Sequence, residues 1–154
     1  MPLRYRGLSP EPFRPLFELG EAQLQARGMR RVIADADWGF PCRVSLGDAA
    51  KGETLLLLPY THQPADTPYR ASGPILVRKC AAKAYDSGAL PPVFRRRMLS
   101  VRAYDADGMM LAADLASGDD AEALFASLLA RDDAAYLHVH NAKRGCYAAR
   151  VERG

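Results

Sequence analysis

The chain has 154 residues, 49% of them hydrophobic and 25% charged, with a formal net charge of +3. That balance describes one globular domain, residues 1–154, long enough to bury a core, and the charge is too small to mark a polyanion partner, so nucleic acid is not expected. The longest run of large apolar residues, Leu55 to Leu58, is far too short to span a bilayer, and the opening MPLRYRGLSPEPF has no apolar leader stretch. Three cysteines without paired CxxC spacing read as reduced thiols, as in a cytoplasmic protein without a bound cofactor.

Met1 to Pro15, rich in proline and arginine, reads as an extended arm or edge strand on the surface. Glu21 to Arg27 forms a short helix closed by Gly28, the usual place for a C-terminal glycine. Arg31 to Ala34 is a short strand, Asp35 to Pro41 a loop. Cys42 to Leu46 alternates, with Cys42, Val44 and Leu46 on one side and Arg43 and Ser45 on the other. Glu53 to Leu58 is apolar on both faces and reads as a central strand. Thr61 to Gly73 is expected to be a long polar loop carrying His62, Tyr69, Arg70 and Ser72. Ile75 to Lys79 is a strand. Ala81 to Pro92 is open between helix and loop, and Pro92 can start a helical turn through Arg95 to Arg97. Leu99 to Tyr104 and Met109 to Leu115 form a hairpin around Asp107-Gly108, with the direction of Arg102 left open. Asp120 to Arg131 is the clearest helix: Ala121, Leu124, Phe125, Leu128 and Leu129 keep helical spacing, and Asp119 with Glu122 resembles a capping box. The fold class that follows is α+β, a mostly antiparallel curved sheet with one main helix, about 120–131, packed on it.

The chemistry concentrates at the end of the chain. Tyr136 to His140 alternates as a half-buried strand does, so His138 and His140 share one face and Leu137 and Val139 the other. Asn141 to Gly145 reads as a turn, and a second alternating run follows from Cys146 to Val151. In the simplest register His140 lies opposite Cys146, His138 opposite Ala148 and Tyr136 opposite Arg150. One face then carries Tyr136, His138, His140, Cys146 and Arg150; Tyr147 joins the core face.

The segment HVHNAKRGCYAARV, together with PCRVSL (Pro41 to Leu46), PYRASGPILVR (Pro68 to Arg78) and SVRAYDADGMM (Ser100 to Met110), resembles a bacterial family catalogued as domain of unknown function 1203. The resemblance runs from about Leu16 to Arg153. It implies no activity, cofactor or catalytic residue.

Three chemistries compete for these residues. The preferred one is a pocket for a small anion. Arg43, Arg70, Arg78, Arg102, Arg144 and Arg150 supply guanidinium forks suited to phosphate or carboxylate, with Arg150 and Arg70 as the clamp, and His62, Tyr69 and Ser72 add neutral donors. If a reaction occurs there, His138 or His140 is its general acid or base, because imidazole titrates near neutral pH. The second chemistry makes Cys146 a nucleophile whose thiolate is stabilised by His140 and the arginines; the plain alternative is a small buried residue at a hairpin end. The third is zinc held by His138, His140 and His62, with Cys42 or Cys146 as a fourth ligand. Against it stand the lack of a nearby carboxylate and the charges of Lys143, Arg144 and Arg150, so no metal is expected. Arg95 to Arg97 reads as a solvated charge run. The rival outside small-molecule binding is a non-enzymatic interaction domain with the histidine face exposed to a partner.

Overall fold

A computed structural model describes all residues, 1–154. Every strand pairing in it is antiparallel, and the strands form two sheets. In chain order the elements are β1 (Leu3–Arg6), α1 (Glu21–Ala26), β2 (Arg30–Ile33), β3 (Thr54–Gln63), β4 (Ala71–Arg78), β5 (Asp86–Ser87), β6 (Met98–Tyr104), β7 (Met110–Ser117), α2 (Ala121–Leu129), β8 (Tyr136–Asn141) and β9 (Tyr147–Arg153). The larger sheet runs β5-β1-β9-β8-β6-β7 and the smaller β2-β3-β4. The α+β class is therefore as the sequence suggests, with the antiparallel strands divided between two sheets and α2 as the main helix.

The main core lies between α2 and one face of the larger sheet. Ala121, Phe125 and Leu129 come from the helix, and Leu137, Val139, Ala149, Val151 and Val101 from the strands. The i, i+4, i+8 spacing on α2 meets the period-two spacing on β6, β8 and β9, and this match seats the helix. The Asp119–Glu122 capping box does not form: α2 starts from a 3-10 turn, Gly118–Asp120, and its N-cap Asp120 makes no side-chain cap bond.

A second core packs the smaller sheet. Leu56 and Leu58 of β3 and Ile75 and Val77 of β4 meet Leu24 of α1, with Phe13, Cys42 and Val44. The other face of the larger sheet is not apolar. It presents His138, His140, Tyr147, Arg102 and Arg150, and the far end of β3 reaches over it.

Several local expectations change. Leu3–Arg6 is no edge strand or surface arm: it pairs with β5 on one side and β9 on the other, and Tyr5 is fully buried. Cys42 to Leu46 forms turns in place of an alternating strand, closed by Leu46 N–H donating to the Cys42 carbonyl at 3.1 Å. Its one backbone donation to a neighbouring strand is from Arg43 N–H to the Leu76 carbonyl of β4 at 3.0 Å, and Cys42, Val44 and Leu46 are buried through the turn. The expected loop Thr61 to Gly73 shortens to residues 64–70, because β3 runs on to Gln63 and β4 begins at Ala71. Alternation continues past the apolar run there, and a register shift between Tyr60 and Gln63 absorbs the polar residues. The Arg95–Arg97 run is not uniformly solvated. The Arg97 side chain is 9% exposed and pairs with Asp48 at 2.7 Å, its guanidinium 4.4 Å from the Trp38 ring.

Candidate functional site

The hairpin of β8 and β9 makes the floor of the site, in a register unlike the simplest one. His138 pairs with Arg150 and Val139 with Ala149, then the register shifts so that His140 pairs with Tyr147. Ala148 is the extra residue of this bulge. Its cause is a longer turn: Asn141 N–H donates to the Cys146 carbonyl at 2.9 Å, and Gly145 adopts φ +80°, which glycine takes without strain. Two consequences follow. Tyr147 moves from the expected core face to the histidine face, and Cys146 leaves the ladder for the turn. The expected pairings His140–Cys146, His138–Ala148 and Tyr136–Arg150 are thereby corrected.

On the other side of β8, β6 places Arg102 directly opposite His138 and Ser100 opposite His140. Arg102, His138 and Arg150 therefore form a row across three adjacent strands, all on one face.

The third histidine comes from the smaller sheet. His62 lies one residue before the end of β3, on the face shared by Leu56, Leu58 and Tyr60. Its ring stacks on Tyr147 at 5.4 Å and nearly parallel, 5°. It meets His140 edge-on at 4.9 Å and His138 at 6.2 Å between ring centroids. The potential ligand atoms of His62, His138 and His140 all lie within 4.8 Å of one another. Tyr104, Tyr136 and Tyr147 each stand 5.1 Å from the His138 ring, so aromatic groups enclose it.

His138 and His140 are 4% and 1% exposed. Burial, then the charges of His140 and Arg150, holds His138 down at about 3. Burial is also the largest cause for His140, held at about 4 with Arg102 contributing, while the bond to the Gly145 carbonyl opposes the shift. His62 is lowered by burial and by Arg102. At neutral pH all three rings are neutral, so neither His138 nor His140 is a proton donor there, and each is a weak base. The His140 tautomer follows from its partner: Nδ1 lies 2.9 Å from the Gly145 carbonyl oxygen, an acceptor only, so Nδ1 carries the proton. Its Nε2 lone pair faces Arg102 Nη1 at 3.3 Å. His62 Nδ1 and His138 Nδ1 are buried without a hydrogen-bond partner.

A cleft of about 270 Å³ opens beside this cluster, lined by His62, Gln63, Tyr136, His138 and Arg150 and walled by the Ala106–Gly108 turn. Gln63 donates to the Tyr136 hydroxyl at 2.9 Å, and Thr67 to the Gly108 carbonyl at 3.2 Å, which ties the β3–β4 hairpin to the β6–β7 turn. The Arg150 guanidinium lies 3.9 Å over the Tyr136 ring and reaches Glu152 at 2.5 Å. A larger hollow of about 380 Å³ on the smaller sheet has Arg30 as its one ionisable lining side chain, whereas His62, His138, Arg150 and Asp107 line the smaller cleft.

The structure thus brings together His62, His138, His140, Arg102 and Arg150. It does not bring the other sequence candidates to them. Arg43, 3% exposed, donates to the carbonyls of Tyr147 at 2.7 Å and Pro41 at 2.5 Å, and burial lowers it to about 10. It braces the strand behind Tyr147. Arg70 donates to the Pro64 carbonyl and closes its own turn. Ser72 bonds Thr61 across the hairpin at 2.7 Å. Tyr69 is exposed and meets the Tyr104 ring edge-on at 6.5 Å. Arg144 is exposed in the β8–β9 turn. Cys146 is half-buried there, and Cys42 is buried with Sγ accepting from three backbone N–H groups. Tyr147 and Gln63 are the site residues that sequence patterning missed. Tyr147 was hidden by the bulge, and nothing local to Gln63 announces a partner 73 residues away.

No helix is long and apolar enough to cross a membrane. No curated protein and no solved structure matches the chain. The model of one family does match, over residues 39–153, a stretch that holds every member of the histidine–arginine cluster. The chain belongs to that family, described as protein of unknown function (DUF1203).

Proposed function

We propose that the cleft binds a small anionic molecule bearing a phosphate or a carboxylate. The observation that carries this reading is the row Arg102–His138–Arg150 on one face of three adjacent strands. Two guanidinium groups flank a neutral imidazole, and their charges help to hold His138 unprotonated. Of the row, His138 and Arg150 line the cleft; an anion there relieves that repulsion and accepts forked hydrogen bonds from Arg150, with Arg102 adding its charge from the adjacent strand. Arg70, the second clamp of the sequence reading, has its guanidinium committed to the Pro64 carbonyl. The cleft is open and its volume of about 270 Å³ falls just below that of drug-sized ligand pockets, which fits an anion as small as phosphate. A bound anion also raises the histidine pKa values toward their ordinary range, which is how His138 or His140 would become a useful acid or base near neutral pH.

Calorimetric titration of the full chain with inorganic phosphate and small carboxylates, with a chelator present, tests the reading. Arg150→Ala is expected to weaken the anion that binds wild type by about tenfold or more. The pair with Glu152 and the contact with the Tyr136 ring are both only partly buried, so the variant costs about 1–2 kcal/mol and leaves the domain folded. Absence of binding by wild type, or equal binding by Arg150→Ala, would sink the proposal.

A further inference from the structure

Anion binding between two arginines leaves the convergence of three imidazoles from two sheets unexplained. We propose that His62, His138 and His140 bind one divalent transition-metal ion of zinc's ligand preference, with a fourth position open to the cleft.

The donor set fits. His138 and His140 sit two apart on β8 and point the same way, and the end of β3 lowers His62 onto them. The His140 tautomer is the one a metal needs. Its Nδ1–H is held by a carbonyl and its Nε2 lone pair faces the cluster, the outer-shell arrangement typical of metal-bound imidazole. The two orphaned nitrogens on His62 and His138 supply a second, independent sign. Buried imidazole nitrogens normally have partners, and a cation shared by the three rings would provide one. Neither a carboxylate nor a thiol joins the group, so three protein ligands leave one position for water or a substrate atom.

The geometry calls for modest closure. Ligand atoms lie within 4.8 Å of one another. Donors around tetrahedral zinc stand about 3.3 Å apart, given Zn–N distances of about 2.0–2.1 Å. His62, half-buried at the end of β3, is the ring with room to move. Arg102 must also turn away from His140 Nε2. It then faces the open coordination position, where its charge favours an anionic fourth ligand over a neutral one.

The test is a zinc titration of the chelator-stripped full chain in a non-coordinating buffer at neutral pH, without added anion. The expected result is one zinc per chain with a dissociation constant of about 10 µM or tighter. The imidazole nitrogen resonances of all three histidines should shift together in the wild-type chain, a readout that needs no variant. His62→Ala and His140→Ala should each weaken zinc at least about a hundredfold, and Cys146→Ser should leave it unchanged. Imidazole resonances that ignore zinc, or zinc bound equally well by His62→Ala, would overturn the proposal. Because the anion titration is run with chelator and the zinc titration without anion, either reading can fail alone.

Discussion

Replacing Arg102 with methionine separates the two roles of the cluster. The guanidinium sits 3.3 Å from His140 Nε2, where a metal ion would bind, so it competes for the lone pair and repels the incoming charge. At about 6 Å, a dication and a unit charge repel by roughly 5 kcal/mol at an effective dielectric constant of about 20, and by less where the cleft admits water. The side chain can also swing toward the opening and recover part of that cost. A net gain of about 2 kcal/mol is left for the variant, or roughly 30-fold tighter zinc. Methionine keeps most of the apolar stem, so the strand packing under Arg102 survives. Competition with a chromophoric chelator reads the zinc affinity, and calorimetry on the same samples reads the anion affinity, which should fall. Zinc affinity unchanged within threefold, or weakened, would refute the reasoning, since it would mean that Arg102 neither blocks nor repels an ion at the histidines.

Two further outcomes test the frame that holds the site. Glu53 receives two bonds from Arg78, at 2.8 and 2.9 Å, and Arg78 holds its carboxyl down at about 2. A depressed carboxylate contributes stability that is complete above the unfolded value near 4.5 and is lost as pH falls from there through about 2. Both side chains are about one-fifth exposed, so a contribution of about 1–2 kcal/mol is expected after solvent screening. Urea melts of Glu53→Gln and wild type should differ by that amount at pH 7 and converge near pH 2; curves that stay parallel contradict the assignment. The histidines titrate alike in both proteins and cancel in the difference. The second outcome concerns Gly118, which enters α2 where a Cβ would lie 1.7 Å from the Phe94 carbonyl oxygen. Because backbone must move, Gly118→Ala should cost about 3 kcal/mol and lower the melting temperature by roughly 6–12 °C. A change under about 0.5 kcal/mol would show that the Phe94 carbonyl yields freely.

Local pattern alone was enough for the elements whose residues answer to their immediate neighbours. The five apolar positions of α2 lie on one side because a helix repeats every 3.6 residues. His138 and His140 share a face because a strand repeats every two. Asp107-Gly108 turns the β6–β7 hairpin because glycine accepts φ +85° there. Those rules act within a few residues, so they can be read without a partner. The composition of the site could not be read that way. Whether Tyr147 or Cys146 faces the histidines depends on a bulge set by the bonds that close the Asn141–Cys146 turn. Whether Arg43 clamps a ligand or braces a strand depends on the Tyr147 carbonyl, 104 residues away. His62 reaches His140 only because β3 continues for two strand pairs beyond its apolar run and the smaller sheet closes over the larger. Alternation tells a residue which face it occupies; which sheet that face will meet is decided by long-range packing, and the three histidines come together only there.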